Sequence, residues 1–335
     1  MHYNMKDWVK ATIANPAKKP LPLLSFPCVS LMNVSVKELI SSSDLQAQGM
    51  HAVTQRVDSA ASVSLMDLSV EAECFGAHTH FSDDEVPTVL GALITDEEEA
   101  NALEIPKVGA ARSGLYIEAI EKAAKLITDR PILAGIIGPF SLAGRLMGVS
   151  DAMIYCYDEP DMVHTVLEKA TSFLIEYCKA YKAAGANGVF MAEPLAGLLS
   201  PALAREFSHE YVAKLVKEVQ TDDFAVFYHN CGDNTPLMTK DIYQIGAMGY
   251  HFGDAIRLSD MFADAPKDVL VMGNVSPSVQ LKNGTPESVR ENVKALMEEC
   301  SVHDHFVLSS GCDIPPLAPW ENLDAFFAAG KEFSR

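Results

Sequence analysis

Phe224-Ala-Val-Phe-Tyr-His229-Asn230-Cys231-Gly232 is an apolar, aromatic run that stops at a polar, glycine-bearing turn. It reads as a β-strand that delivers two metal-binding side chain types at its end. Alternation along a strand puts i and i+2 on one side, so His229 and Cys231 face the same way. A second run has the same grammar. Val307-Leu-Ser-Ser-Gly311-Cys312-Asp313-Ile-Pro-Pro is a short apolar strand, then Gly-Cys, then a double proline.

Working outward, short apolar or β-branched runs alternate with longer helix-periodic stretches, the signature of βα units and a parallel sheet. Strands are expected near Leu21–Pro27, Ser62–Asp67, Ile132–Gly138, Gly188–Glu193, Phe224–His229, Ala247–Phe252, Val269–Gly273 and Phe306–Ser310. Between them, Ser113–Thr128 and Asp161–Ala184 carry apolar residues at helical spacing. Thr285-Pro286-Glu287 opens another helix with a cap, a proline at the first position and an acid in the first turn. Pro319–Phe333 reads as a closing helix.

Eight strands with intervening helices predict an α/β fold, a single-domain (β/α)8 TIM barrel over residues 1–335. A doubly wound sheet fits the alternation too, but neither G-x-G-x-x-G nor G-x-x-x-x-G-K-[ST] follows a strand. Residues 68–112 are polar, acidic and too long for an ordinary connection. They are expected to form an excursion over the barrel mouth.

The chain has 335 residues, with 26 Lys plus Arg against 45 Asp plus Glu, a formal charge of −19. That charge speaks against nucleic acid and against an anionic membrane as partners. The seven cysteines are an odd number at low density, so reduced thiols and a cytoplasmic location are expected. No apolar stretch is long enough to span a bilayer.

In a barrel, all strand carboxyl ends share the active face. His229, Cys231 and Cys312 would then meet as a three-ligand Zn²⁺ site, whose open fourth position is the catalytic pattern. The plainer alternative remains at this point: a buried Cys is often a small hydrophobe, and a strand-end His a core residue. Glu193 and Asp67 close strands on the same face and are candidates to orient a ligand or move a proton, with a salt bridge or helix cap as the alternative. His78 and His80 look like a metal pair but sit in a polar stretch that solvent explains. Asp96–Glu99 behind Thr95 reads as a capped helix start.

His229-Asn-Cys231-Gly232, Met272-Gly273-Asn274-Val275-Ser276 and Ser310-Gly311-Cys312-Asp-Ile-Pro-Pro-Leu-Ala-Pro-Trp-Glu-Asn together resemble the uroporphyrinogen decarboxylase superfamily. More narrowly, they are similar to its zinc- and corrinoid-dependent methyltransferase branch. The resemblance implies zinc on His229, Cys231 and Cys312. It also implies cobalamin carried on a separate corrinoid protein, and a small methylated compound or thiol as substrate. Asn274 and Ser276 follow the seventh strand and are candidates for binding substrate or corrin, with a plain turn as the alternative; Glu193, from its strand end, and Asp254 are candidates for catalytic carboxylates. The coenzyme M enzymes carry a glutamate pair where this chain has Tyr250-His251-Phe252-Gly253-Asp254, so only Asp254 keeps a carboxylate there. That departure leans the reading towards demethylation of a methoxylated substrate such as an aryl methyl ether. The alternative is a methylcobamide:thiol methyltransferase, which the charge-neutral His/Cys/Cys set suits. A decarboxylase is the third reading. It fits poorly, because Pro20–Cys28 contains no Arg and the negative charge repels a polycarboxylate. A barrel that only stores zinc or a corrinoid is the non-enzymatic reading.

Overall fold

The computed structural model describes residues 3–334. Its main sheet has seven parallel strands: Ser62–Val63, Ile132–Ile137, Gly188–Ala192, Ala225–Asn230, Gly249–Phe252, Leu270–Val275 and Phe306–Ser310. Their order in space is their order in the chain. A doubly wound sheet would reverse direction partway, so the order alone selects the singly wound barrel.

The expected first strand, Leu21–Pro27, is not a regular strand. Its first part still closes the curled sheet. Leu21 N donates to Leu308 O at 2.9 Å on one edge, and Ala60 N donates to Pro20 O at 2.8 Å towards the other. Pro20 and Pro22 have no N–H to give, so a full ladder cannot form. Side chains substitute: Leu23 N donates to Ser310 Oγ at 3.0 Å. The chain then turns at Ser25–Cys28 into the short helix Cys28–Met32.

The helices follow the sequence closely. Pro160–Ala183 buries Val163, Val166, Leu167, Ala170, Leu174 and Tyr177, the stripe its spacing predicts. Helix Pro286–Cys300 begins with a capping box in which Thr285 Oγ1 accepts from Ser288 N.

Strand alternation divides the interior into two cores. Phe190, Ala192, Ala225, Phe227, Leu270, Met272, Val307, Leu21 and Leu23 fill the barrel lumen. Val226, Tyr228, Tyr250, Phe252, Val271 and Leu308 point outward into the helix layer. The amino-terminal helix Met5–Ala14 adds Met5 and Val9 to the lumen core, and sets Trp8 edge-on to Phe227. By the same parity, His229, His251 and Ser309 face the lumen.

The stretch expected to form an excursion, residues 68–112, has elements of its own: helix Val70–Cys74, a hairpin of His78–His80 with Thr88–Leu90, and helix Glu97–Ala102. Asp96 rather than Thr95 caps that last helix, accepting from Glu99 N at 2.8 Å. Leu93 and Ile94 tie this stretch to helix Pro139–Met147 through N–H groups on Leu146 O. Among the described residues, no helix is long and apolar enough to cross a membrane.

Candidate metal centre

His229 is the last lumen-facing residue of its strand and is 1% exposed. Beyond it, Asn230 shapes the turn. Its Oδ1 accepts from Gly232 N at 3.1 Å and Thr235 Oγ1 at 3.0 Å, and its Nδ2 donates to Tyr228 OH. That turn returns Cys231 to the lumen side. Two glycines make room for it. A Cβ at Gly253 would lie 2.3 Å from Cys231 Cβ, and one at Gly232 would strike the backbone of Gly197. On the other side, Gly311 N donates to Val275 O at 2.7 Å, which sets Cys312 at the end of its strand.

The three donor atoms of His229, Cys231 and Cys312 lie within 4.8 Å of one another, the one such group of His, Cys, Asp or Glu among the described residues. Cys312 Sγ is 3.5 Å from His229 Nε2. Zinc bonds of about 2.3 Å to sulfur and about 2.0 Å to nitrogen, at a tetrahedral angle, place those atoms about 3.5 Å apart. The spacing and the donor chemistry therefore fit Zn²⁺. A hydrogen bond from Cys312 lowers the Cys231 thiol below its ordinary value, while the same bond and burial push the Cys312 thiol up. Ion binding requires both thiols as thiolates, so it displaces their protons.

Behind the site stands a residue that the sequence reading did not single out. His251 Nδ1 is 2.7 Å from His229 Nδ1, and His251 Nε2 is 2.8 Å from Ser309 Oγ. The available signal was parity, since His251 lies two residues after lumen-facing Gly249.

The other candidates are placed differently. Glu193 is fully buried, and its carboxylate accepts from Phe140 N at 2.8 Å, Ser141 N at 2.9 Å and Ser208 Oγ at 2.9 Å. It anchors the start of helix Pro139–Met147, the helix-cap alternative. Burial raises its pKa. Asp67 is locked by Arg112 and by Tyr116 OH, which donates to it at 2.7 Å. Asn274 Nδ2 donates to Gly253 O and Ile256 O, both at 2.9 Å, and so clamps the loop that carries Asp254. Ser276 Oγ accepts from Val279 N, a helix-cap bond. Asp254 is exposed and packs on Gly311 beside the cysteines. His78 and His80 lie exposed on the hairpin, remote in sequence from the centre and outside its donor group.

Comparison with known proteins identifies the family and the fold. A profile of the uroporphyrinogen decarboxylase (URO-D) family matches residues 28–333. A methylated-thiol–coenzyme M methyltransferase of Methanosarcina mazei is 26% identical over 321 residues, 95% of this chain and 84% of the relative. A methylcobamide:CoM methyltransferase (MtbA) of Methanosarcina acetivorans is 27% identical over 80% of this chain and 78% of its own length. A uroporphyrinogen decarboxylase of Coxiella burnetii is 29% identical over 82% of this chain and 77% of its own. The solved structure of a methyltransferase from Methanosarcina mazei superimposes with a TM-score of 0.85 over 98% of both chains at 24% identity, which establishes a shared fold.

Proposed function

The chain belongs to the uroporphyrinogen decarboxylase family, and from that premise we propose that it is a zinc-dependent methyltransferase exchanging a methyl group with the cobalamin of a corrinoid protein, in the direction of a thiol acceptor. One observation carries the reading: His229, Cys231 and Cys312 converge as a soft donor set at the carboxyl ends of the barrel strands. Two thiolates neutralise a divalent ion, and three protein ligands leave one position for substrate. Zn²⁺ held there supplies a mild Lewis acid that favours the thiolate form of a substrate thiol at neutral pH. The relatives named for coenzyme M and for methylcobamide support both the thiol and the corrinoid partner.

The chain's own residues hold and shape this site. His229 is oriented from behind by His251, and Cys231 is seated by the Asn230 turn. Asn274 fixes the loop bearing Asp254, an exposed carboxylate on the rim beside the thiols. Demethylation of a methoxylated compound is the second reading. It is favoured by the resemblance read from the sequence, in which Asp254 alone stands in place of a glutamate pair. Decarboxylation draws no support from this site: Pro20–Leu24 is barrel wall without arginine, and the chain carries a charge of −19.

The test follows the cobalt spectrum. Methylcobalamin mixed with the zinc-loaded protein and a panel of thiols is expected to lose its methyl group, and removal of the ion by a chelator to stop the transfer. Reduced cobalamin with methoxyarenes, methanol or methylamines measures the opposite direction. Methylation of cobalt only in that second mixture would reverse the direction. No transfer in either, or less than about half an equivalent of zinc in the purified protein, would overturn the proposal.

A further inference from the structure

We infer that His251 and Ser309 are positioning residues that fix the tautomer of His229 so that its Nε2 lone pair faces the two cysteines. The inference rests on the metal-centre reading above, and it concerns a hydrogen-bond chain running from that centre to the barrel wall.

The direction of every bond in the chain follows from its far end. Ser309 Oγ lies 2.7 Å from Leu21 O. A carbonyl only accepts, so the serine hydrogen points there. Towards His251 Nε2, at 2.8 Å, the serine oxygen then has only lone pairs to offer, so that nitrogen carries the N–H. A neutral imidazole with its hydrogen on Nε2 has a lone pair on Nδ1. His251 Nδ1 is 2.7 Å from His229 Nδ1, and one hydrogen fits between two nitrogens at that distance. It belongs to His229. The remaining nitrogen of His229, Nε2, therefore holds a free lone pair, 3.5 Å from Cys312 Sγ.

The opposite arrangement would put hydrogens on both nitrogens of His251 and on His229 Nε2. It would bury a cation on a ring with no exposed surface, packed edge-on to Phe190 at 5.2 Å, with no carboxylate in its hydrogen bonds. The irregular closing segment enters the function here. Because Pro20–Leu24 makes no full ladder, Leu21 O takes the serine hydroxyl, and the backbone sets the tautomer three side chains away.

The decisive measurement needs no variant. In metal-free protein labelled with ¹⁵N-histidine, long-range ¹H–¹⁵N NMR of the rings is expected to show His229 as the Nδ1–H tautomer and His251 as the Nε2–H tautomer. A His229 Nε2–H tautomer in the wild type would overturn the inference. Ser309→Ala frees His251, and zinc affinity in a chelator competition is expected to fall about 10- to 100-fold, with Ser309→Thr restoring most of it. His251→Phe, which keeps the ring volume, is expected to lose at least as much as Ser309→Ala. Unchanged zinc affinity in both Ser309→Ala and His251→Phe would also overturn the inference. These readouts are separate from methyl transfer: a protein with the expected tautomers and no transfer activity refutes the proposed reaction and leaves the positioning roles standing.

Discussion

The two sides of the barrel mouth use their polar side chains in opposite ways. On the side of the early strands, Asp67 and Glu193 are answered by the protein itself. Asp67 takes Arg112, Ser69 Oγ and Tyr116 OH. Glu193 takes two backbone N–H groups and Ser208. Glu71 is answered on one oxygen only: Oε1 accepts from Ile137 N, buried Oε2 has no partner, and burial pushes its pKa up to about 8. On the side of the later strands, His229, Cys231 and Cys312 turn their donor atoms towards one another, and the cysteines remain only half-buried. Satisfied carboxylates such as Asp67 and Glu193 build a wall, whereas converging soft donors suit a ligand. Residue type alone does not separate the two, since both sides are rich in titratable groups at strand ends.

The strongest way to break the contrast is to remove one donor. Cys312→Ala leaves two ligands, and metal content is expected to fall below about half an equivalent, with methyl transfer down at least about 100-fold. Atomic absorption and the cobalt spectrum read both. Full zinc in this variant would end the claim that this side is the ligand side.

Arg112→Met probes the wall instead. It strands the Asp67 carboxylate, whose side chain has no exposed surface. Breaking a buried pair by removing one partner costs about 3–5 kcal/mol, so the urea midpoint should drop accordingly. Zinc content of the folded fraction is expected to stay at the wild-type level. A stable variant that has lost zinc would invert the division of labour.

Glu71 gives the wall a pH signature. Its folded pKa, about 8, lies above the unfolded carboxylate value of 4.5, so the folded state holds a proton that the unfolded state releases. Its contribution is complete below about pH 4.5 and is lost as pH rises towards 8, at a slope of at most about 1.4 kcal/mol per pH unit. Glu71→Gln is expected to remove that decline, measured as urea stability between pH 5 and about pH 8. An unchanged slope would mean that Glu71 is ionised in the folded protein and answered by a charge.

How far this contrast could be read in advance depends on the length of the interactions. The barrel was legible because each strand is an apolar run with a turn, and each long helix keeps its own stripe, as in Pro160–Ala183. His229 and Cys231 were legible because two residues in one strand share a face. Cys312 required only that parallel strands end on one side. What escaped depends on register across the barrel. His251 and Ser309 are 58 residues apart, and nothing local marks either one. Glu193 shows the converse: its strand-end position looks catalytic, and only the three bonds that hold it show an anchor. The first strand was missed in form though not in place, because Pro20 and Pro22 remove the ladder without moving the chain.

Asp254 sits where the two sides meet, and it offers the finest test. It is an exposed carboxylate beside half-buried thiols, and its charge opposes ionisation of Cys231 while the Cys312 hydrogen bond favours it. Asp254→Asn should therefore lower the Cys231 thiol further in the metal-free protein. Because water screens an exposed charge, the shift should be less than about one pH unit and should shrink as salt rises past about 0.5 M. Alkylation rate against pH reads it directly: the profile moves to lower pH, with the plateau rate unchanged. A move to higher pH would show that Asp254 accepts a hydrogen bond that supports the thiolate. It would then belong to the ligand side and act on substrate, not merely border it.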